Sequence, residues 1–123
     1  MASDARYSID LQPKYEPLEL IDVPKLAATF KQAWSNQTLC RVNSSVVRLG
    51  VVQGEFHWHK HDEDDEFFYV VDGKLLIDLE GRTIELEPKQ GFVVPRGAMH
   101  RTRAPEKTVI LMVENAGIIP TGN

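Results

Sequence analysis

The chain has 123 residues, 42% hydrophobic, 26% charged and 8% aromatic, the size and make-up of one globular domain with one core. A formal net charge of −4 and a pI near 5.5 argue against nucleic acid as the main partner and against an anionic membrane surface, both of which call for clustered Lys and Arg. The single cysteine, Cys40, rules out a disulfide within the chain and reads as a plain buried thiol, with no dedicated partner near it in sequence. No apolar run reaches the ~18 to 20 residues of a membrane span, and the opening Met1-Ala2-Ser3-Asp4-Ala5-Arg6 lacks the apolar stretch of a secretory signal. The expectation is a soluble, cytoplasmic protein.

Residues 1–44 read as an N-terminal arm and a short helix. Pro13 and Pro17 interrupt the first part, whose apolar residues are scattered. Asp22-Val23-Pro24-Lys25 then carries an N-cap residue and a first-turn proline. Leu26, Phe30 and Trp34 follow at helical spacing and predict one apolar stripe packed on the core.

From residue 45 the pattern becomes that of strands, and residues 45–114 are expected to form a β-barrel. Ser45 to Gln53 is rich in Val, and Phe67-Phe68-Tyr69-Val70-Val71 is a second β-branched and aromatic run. Asp72-Gly73 lies directly between that run and Lys74 to Leu79, a hairpin signal. Glu80-Gly81 predicts a second tight turn before Arg82 to Leu86. Another turn at Pro88 to Gly91 precedes Phe92-Val93-Val94, and Pro95-Arg96-Gly97 turns again. Thr108 to Glu114 is the last predicted strand, and residues 115–123 are read as a loose tail. Evenly spaced strands with turn signals between them predict an all-β sandwich or barrel.

Three of the four histidines stand at 57, 59 and 61. If that segment is a strand, its alternation puts all three imidazoles on one face and Trp58 and Lys60 on the other, so Trp58 reads as a packing residue. Neutral imidazole is a ligand for Zn, Fe, Ni and Cu, and converging imidazoles make a metal the economical explanation; core histidines satisfied by hydrogen bonds are the bland alternative. The acidic run Asp62 to Glu66 reads mostly as a solvated turn. Glu66 is the member best placed to supply an oxygen ligand, because it begins the next strand and shares a face with Phe68 and Val70. His100 follows the Pro95-Arg96-Gly97 turn and would reach the site from another strand. Arg96, Arg101 and Arg103 flank it, as a solvated edge or as a lure for an anionic substrate.

The order Gly54, His59-Lys60-His61, Glu66, Gly73 resembles the first motif of the cupin family, and Pro95-Arg96-Gly97-Ala98-Met99-His100 resembles the second. The resemblance covers roughly residues 46–114 and is similar to the small single-domain cupins called mannose-6-phosphate-isomerase-like. Departures fall at turns and edges. Gly54 has four residues between it and His59 where the family has five; Lys89 stands where the second motif has Gly, with Gly91 nearer; Ala104 stands where the motif often has Asn. The resemblance implies a double-stranded β-helix, or jelly roll, with His59, His61, Glu66 and His100 as ligands of a divalent transition metal (Fe, Ni, Mn or Zn). It also implies a small-molecule ligand, and a homodimer in which the arm lies across the neighbour. His57 is additional to the motif and is a candidate fifth ligand, hydrogen-bond donor to a ligand or general base, or else a barrel residue with no role; Glu66 is the other candidate for moving a proton. The readings of function that follow are a metal-dependent enzyme of dioxygenase, isomerase or cyclase type, a sugar- or metabolite-sensing barrel without turnover, and a barrel whose metal serves only stability.

Overall fold

The computed structural model describes residues 7–122. Its elements in chain order are β1 (Ser8–Asp10), α1 (Val23–Ala27), β2 (Trp34–Val42), β3 (Ser45–Glu55), β4 (Glu66–Asp72), β5 (Leu75–Leu79), β6 (Arg82–Leu86), β7 (Gly91–Val94) and β8 (His100–Asn115). The fold is all-β, a double-stranded β-helix as expected, although its hydrogen-bonded ladder does not close into a full barrel. One path runs β1-β2-β3-β8-β4-β7, and β5 leaves it to pair with β6 and β8.

Strand β8 organises the architecture. Its first residues, His100 to Arg103, pair with β5, while Val109 to Glu114 lie between β3 and β4. One long strand therefore pairs with β5 at its start and with β3 and β4 further on, and it begins eight residues before the Thr108 start that composition predicts. Pro105 lies within it, where the β3 ladder breaks register between Val52 and Gly54. Proline has no N–H for a ladder, so the strand changes partners there.

The sequence reading differs from the structure in three places. Asp22 does cap a helix, its carboxylate accepting from the Lys25 N–H at 3.0 Å, but α1 stops at Ala27. Trp34 opens β2 opposite Val52 instead of extending the helical stripe. Leu26 and Phe30 pack in an outer cluster with Leu49 and Val51, whereas Trp34 joins the interior cluster: two strand faces compete for these side chains, and tertiary packing overrides the periodicity. Second, β2 falls within the stretch read as arm and helix and forms an antiparallel hairpin with β3 through Asn43-Ser44, Asn43 adopting a positive φ of 55°. Third, Asp72-Gly73 does not close a hairpin. β4 pairs with β7 and β8, and β5 with β6 and β8, so this dipeptide joins two strands that do not pair with each other. Gly73 has φ +93°, and a Cβ there would meet Thr108 Cα at 2.8 Å and the Lys107 carbonyl oxygen at 2.9 Å; only glycine fits. The Glu80-Gly81 turn does join paired strands, Leu79 facing Arg82.

Alternation along the strands sends Trp34, Arg48, Val52, Glu66, Phe68, Ile110 and Met112 into the interior, where all are buried. Among the described residues no helix is long and apolar enough to cross a membrane.

Candidate metal centre

β3 ends at Glu55, so the histidine run that follows is not a continuous strand. A single bridge pins it: the His59 and His100 backbones exchange both N–H···O bonds at 2.9 Å. The Gly97 N–H donates to the His61 carbonyl at 2.8 Å, and the Arg96 N–H donates to Asp65 at 2.9 Å. The turn before His100 is thus tied to the run before Glu66. Asp62 pairs with Lys60 at the surface, so most of the acidic run is a solvated turn, as its composition suggests.

These ties bring His59, His61, Glu66 and His100 together. One ligand atom from each lies within 4.8 Å of all the others, and all four side chains are buried. The donor chemistry fits a metal ion. Nδ1–H of His59 donates to the His57 carbonyl, and Nδ1–H of His100 to the Ala98 carbonyl, each at 2.9 Å. Such bonds to backbone leave Nε2 unprotonated, with its lone pair aimed into the site. Burial lowers the His59 pKa to about 4, so this ring is neutral at pH 7. Glu66 Oε1 stands 3.4 Å from His100 Nε2 and 3.5 Å from His61 Nε2, too far for strong hydrogen bonds; Oε1 of Glu66 and Nε2 of His100 are buried without a hydrogen-bond partner. Burial alone would raise the Glu66 pKa, but its contacts with the His100 and His61 rings outweigh that and hold it well below the carboxylate range. A buried carboxylate facing three imidazoles, its inward oxygen unbonded, is a group that could hold one divalent cation.

Glu114 faces Glu66 directly across the β4–β8 ladder. Burial, reinforced by the negative charge of Glu66, raises its pKa to about 9. Its other neighbour is Arg48, whose Nε lies 3.3 Å from Glu114 Oε1 and whose Nη2 donates to the Ile118 carbonyl at 3.3 Å. This interior Arg–Glu pair escaped the sequence reading; Arg48 and Glu114 sit at inward positions of Val-rich strands, and parity was the only available signal.

The other expected residues are placed as follows. His57 is not drawn into the four-residue cluster: its Nε2–H donates to the Thr121 carbonyl at 2.7 Å, and its backbone N–H donates to the Tyr7 hydroxyl at 3.1 Å. Trp58 is half-exposed, with the Arg101 guanidinium carbon 5.4 Å from its ring centroid. Arg101 and Arg103 both donate to Asp78, at 2.8 and 2.7 Å, and Arg96 pairs with Asp65. All three arginines are thus engaged by carboxylates, as a structural edge would have them. Cys40 is half-buried beside the outer cluster.

A small cavity of about 30 Å³ beside the cluster is lined by Trp34, Asn36, Phe56, Phe68, Thr102 and Met112, together with His59 and Glu66 of the cluster and Pro120 of the C-terminal tail. The tail, expected to be loose, is instead packed: Ile118 is buried, and Gly122 lies against the His59 side chain.

The cupin domain profile matches residues 45–114, more than half of the chain. The chain belongs to the cupin family. It is 40% identical over 91 residues to uncharacterized protein YdbB of Bacillus subtilis (strain 168), covering 73% of this chain and 80% of that protein. The crystal structure of a cupin-2 domain containing protein from Shewanella frigidimarina superposes with a TM-score of 0.75 at 32% identity, over 78% of this chain and 94% of that one. Protein NMB1881 from Neisseria meningitidis superposes with a TM-score of 0.72 at 23% identity, over 79% and 99%, a likeness of fold.

Proposed function

We propose that this cupin is a metal-dependent enzyme acting on a small molecule, with His59, His61, Glu66 and His100 holding one divalent transition metal. The observation that carries this reading is the convergence of three imidazoles and one carboxylate within 4.8 Å of one another, with His59 and Glu66 also lining a cavity. Four protein ligands without cysteine would leave coordination positions open on a six-coordinate metal, whereas structural zinc sites are closed and rich in Cys. Fe, Ni, Mn and Zn all suit this mixed N and O set. When bound, such a metal supplies a Lewis acid for a substrate oxygen. The chain's own part is to keep the rings neutral and oriented, to exclude bulk water with Phe56, Phe68 and Met112, and to present Glu66 as the carboxylate nearest the reacting atoms. Dioxygenase, isomerase and cyclase chemistry all use these features. A sensing barrel without turnover would share the ligands and the cavity.

An open coordination position is testable with cobalt(II) in place of the native metal. Azide added to the cobalt protein should shift its visible absorption in a saturable way; a spectrum indifferent to azide would mean a closed site and favour a purely structural metal.

We further propose that the protein pairs with a second copy. Val93, Phe67 and Val113 lie side by side in register across β7, β4 and β8, and Val93 is 50% and Val113 38% exposed. That apolar row on the outer sheet face suits a self-complementary contact. Sedimentation should give a dimer at micromolar concentration, and a Val93→Asp variant should shift it toward monomer.

A further inference from the structure

An arginine and a glutamate facing each other in a protein interior are costly to desolvate, and apolar residues of similar volume in their place are often as stable or more so. Arg48 and Glu114 are such a pair, 2% and 3% exposed. They are also poorly matched. Arg48 Nε lies 3.3 Å from Glu114 Oε1, yet Nε and Nη1 of Arg48 and both oxygens of Glu114 are buried without a well-formed hydrogen bond. Polar atoms buried in this state call for a reason other than stability.

The topology supplies one. Strand β8 lies between β3 and β4, with Glu114 opposite Glu66 on one side and opposite Val46 on the other, and Arg48 opposite Met112. Residues paired across a ladder share a face, so Arg48, Glu114 and Glu66 stand in a row on the inward face of three adjacent strands. The side chains of Glu114 and Glu66 are in hydrogen-bonding contact, a bond that one carboxyl O–H supplies. Glu66 in turn faces the His61 and His100 rings. At the far end, Arg48 Nη2 donates to the Ile118 carbonyl at 3.3 Å, which ties the row to the packed tail. Glu114 stands outside the four residues whose ligand atoms converge, so it reaches a metal only through Glu66.

Resting on the metal site proposed above, we propose that Glu114 and Arg48 are positioning residues of the metal centre: Glu114 holds the Glu66 carboxylate in place, and Arg48 holds Glu114. A carboxylate left free to rotate offers its oxygen to a cation part of the time. Groups that fix a ligand from behind are worth about 10- to 100-fold in metal affinity. The row thus spends stability in the interior on the orientation of one ligand.

The experiment is zinc affinity of the full-length protein, by competition with a chromophoric chelator, with circular dichroism and a melting curve for every variant. The double variant Arg48→Met/Glu114→Met fills the same space with apolar atoms. It should melt at or above the wild-type temperature and bind zinc about 10- to 100-fold more weakly. Glu114→Gln keeps an N–H for Glu66 and an oxygen for Arg48, and should stay within about threefold of wild type. Glu114→Asp draws the carboxyl back by one carbon and should weaken zinc about tenfold, which keeps the question answerable if the double variant does not fold. Cobalt(II) in place of zinc reports on the site itself: its visible absorption should change shape in the double variant and in Glu114→Asp, and match wild type in Glu114→Gln. Wild-type zinc affinity and an unchanged cobalt spectrum in either the folded double variant or Glu114→Asp would overturn the inference, reduce the pair to packing and leave the metal site standing. A wild type with no measurable affinity for zinc or cobalt would overturn both.

Discussion

Glu114 makes the fold's stability depend on alkaline pH in a way that one substitution should remove. Its pKa rises from an ordinary 4.5 to about 9, through burial first and the charge of Glu66 second. The folded state keeps its proton at neutral pH while the unfolded chain gives it up. The unfolded state thus binds fewer protons than the folded one between pH 4.5 and 9, and stability falls as pH rises through that window. Each pH unit is worth about 1.4 kcal/mol, so from pH 6.5 to 8.5 the metal-free protein should lose about 3 kcal/mol. Glu114→Gln keeps the shape and an oxygen for the Arg48 contact and cannot ionise. It should be flat across the same range, so its stability relative to the wild type should grow by about 3 kcal/mol between pH 6.5 and 8.5. The assay is urea denaturation of chelator-treated protein at half-unit steps from pH 6 to 9, for wild type and variant. Two parallel curves would refute the reasoning, since they would mean that Glu114 is ionised on both sides of the transition. With a divalent cation bound, the charge of Glu66 is offset, and the alkaline slope of the wild type should shrink.

Two further outcomes follow from the same structure. His59 shows the opposite linkage: burial lowers its pKa from 6.5 to about 4, so the stability it contributes is present above pH 6.5 and lost as pH falls toward 4. In wild type this offsets the Glu114 gain between pH 6.5 and 4.5, and stability there should be nearly level; in chelator-treated His59→Phe the offset is gone, and stability should rise on acidification by about 1.4 kcal/mol per unit, as urea midpoints over that range would reveal. Gly73→Ala places a Cβ 2.8 Å from Thr108 Cα at φ +93°, a backbone clash combined with left-handed strain, and should cost about 2 to 4 kcal/mol. Thermal unfolding should show this as a melting temperature lower by roughly 8 °C or more, and a loss of a degree or two would mean the crossover is looser than its geometry.

Much of the fold was legible because period-2 runs and turn residues mark strands locally. Phe67 to Val71, Arg82 to Leu86 and Phe92 to Val94 fall inside β4, β6 and β7, and Glu80-Gly81 closes the turn its composition announces. What escaped was non-local. Asp72-Gly73 has a hairpin's chemistry, but the partner of β5 is β8, a strand from elsewhere in the chain, and the dipeptide alone holds no record of that. Trp34 continues a helical stripe in sequence, and only the ladder opposite Val52 shows that a strand claims it. The candidate site was legible for a similar reason. Spacing alone set His59 and His61 on one side, and the Pro-x-Gly turn set His100 apart from them, so the motif carried the geometry. His57 shares their parity in sequence, but β3 ends before it, and past the end of a ladder alternation no longer constrains direction. Arg48 and Glu114 left no trace beyond position, because a buried polar contact between strands is invisible until facing strands are known.

The central claim is that the three histidines and Glu66 form a metal centre. The most direct measurement is metal content by elemental mass spectrometry on protein purified without an affinity tag, for wild type and for His100→Ala, with circular dichroism to confirm that both are folded. Close to one equivalent of a single transition metal is expected in the wild type, with most of it lost in the folded variant. A wild type that carries no metal and takes up none on incubation with Fe(II), Ni, Mn or Zn would contradict it.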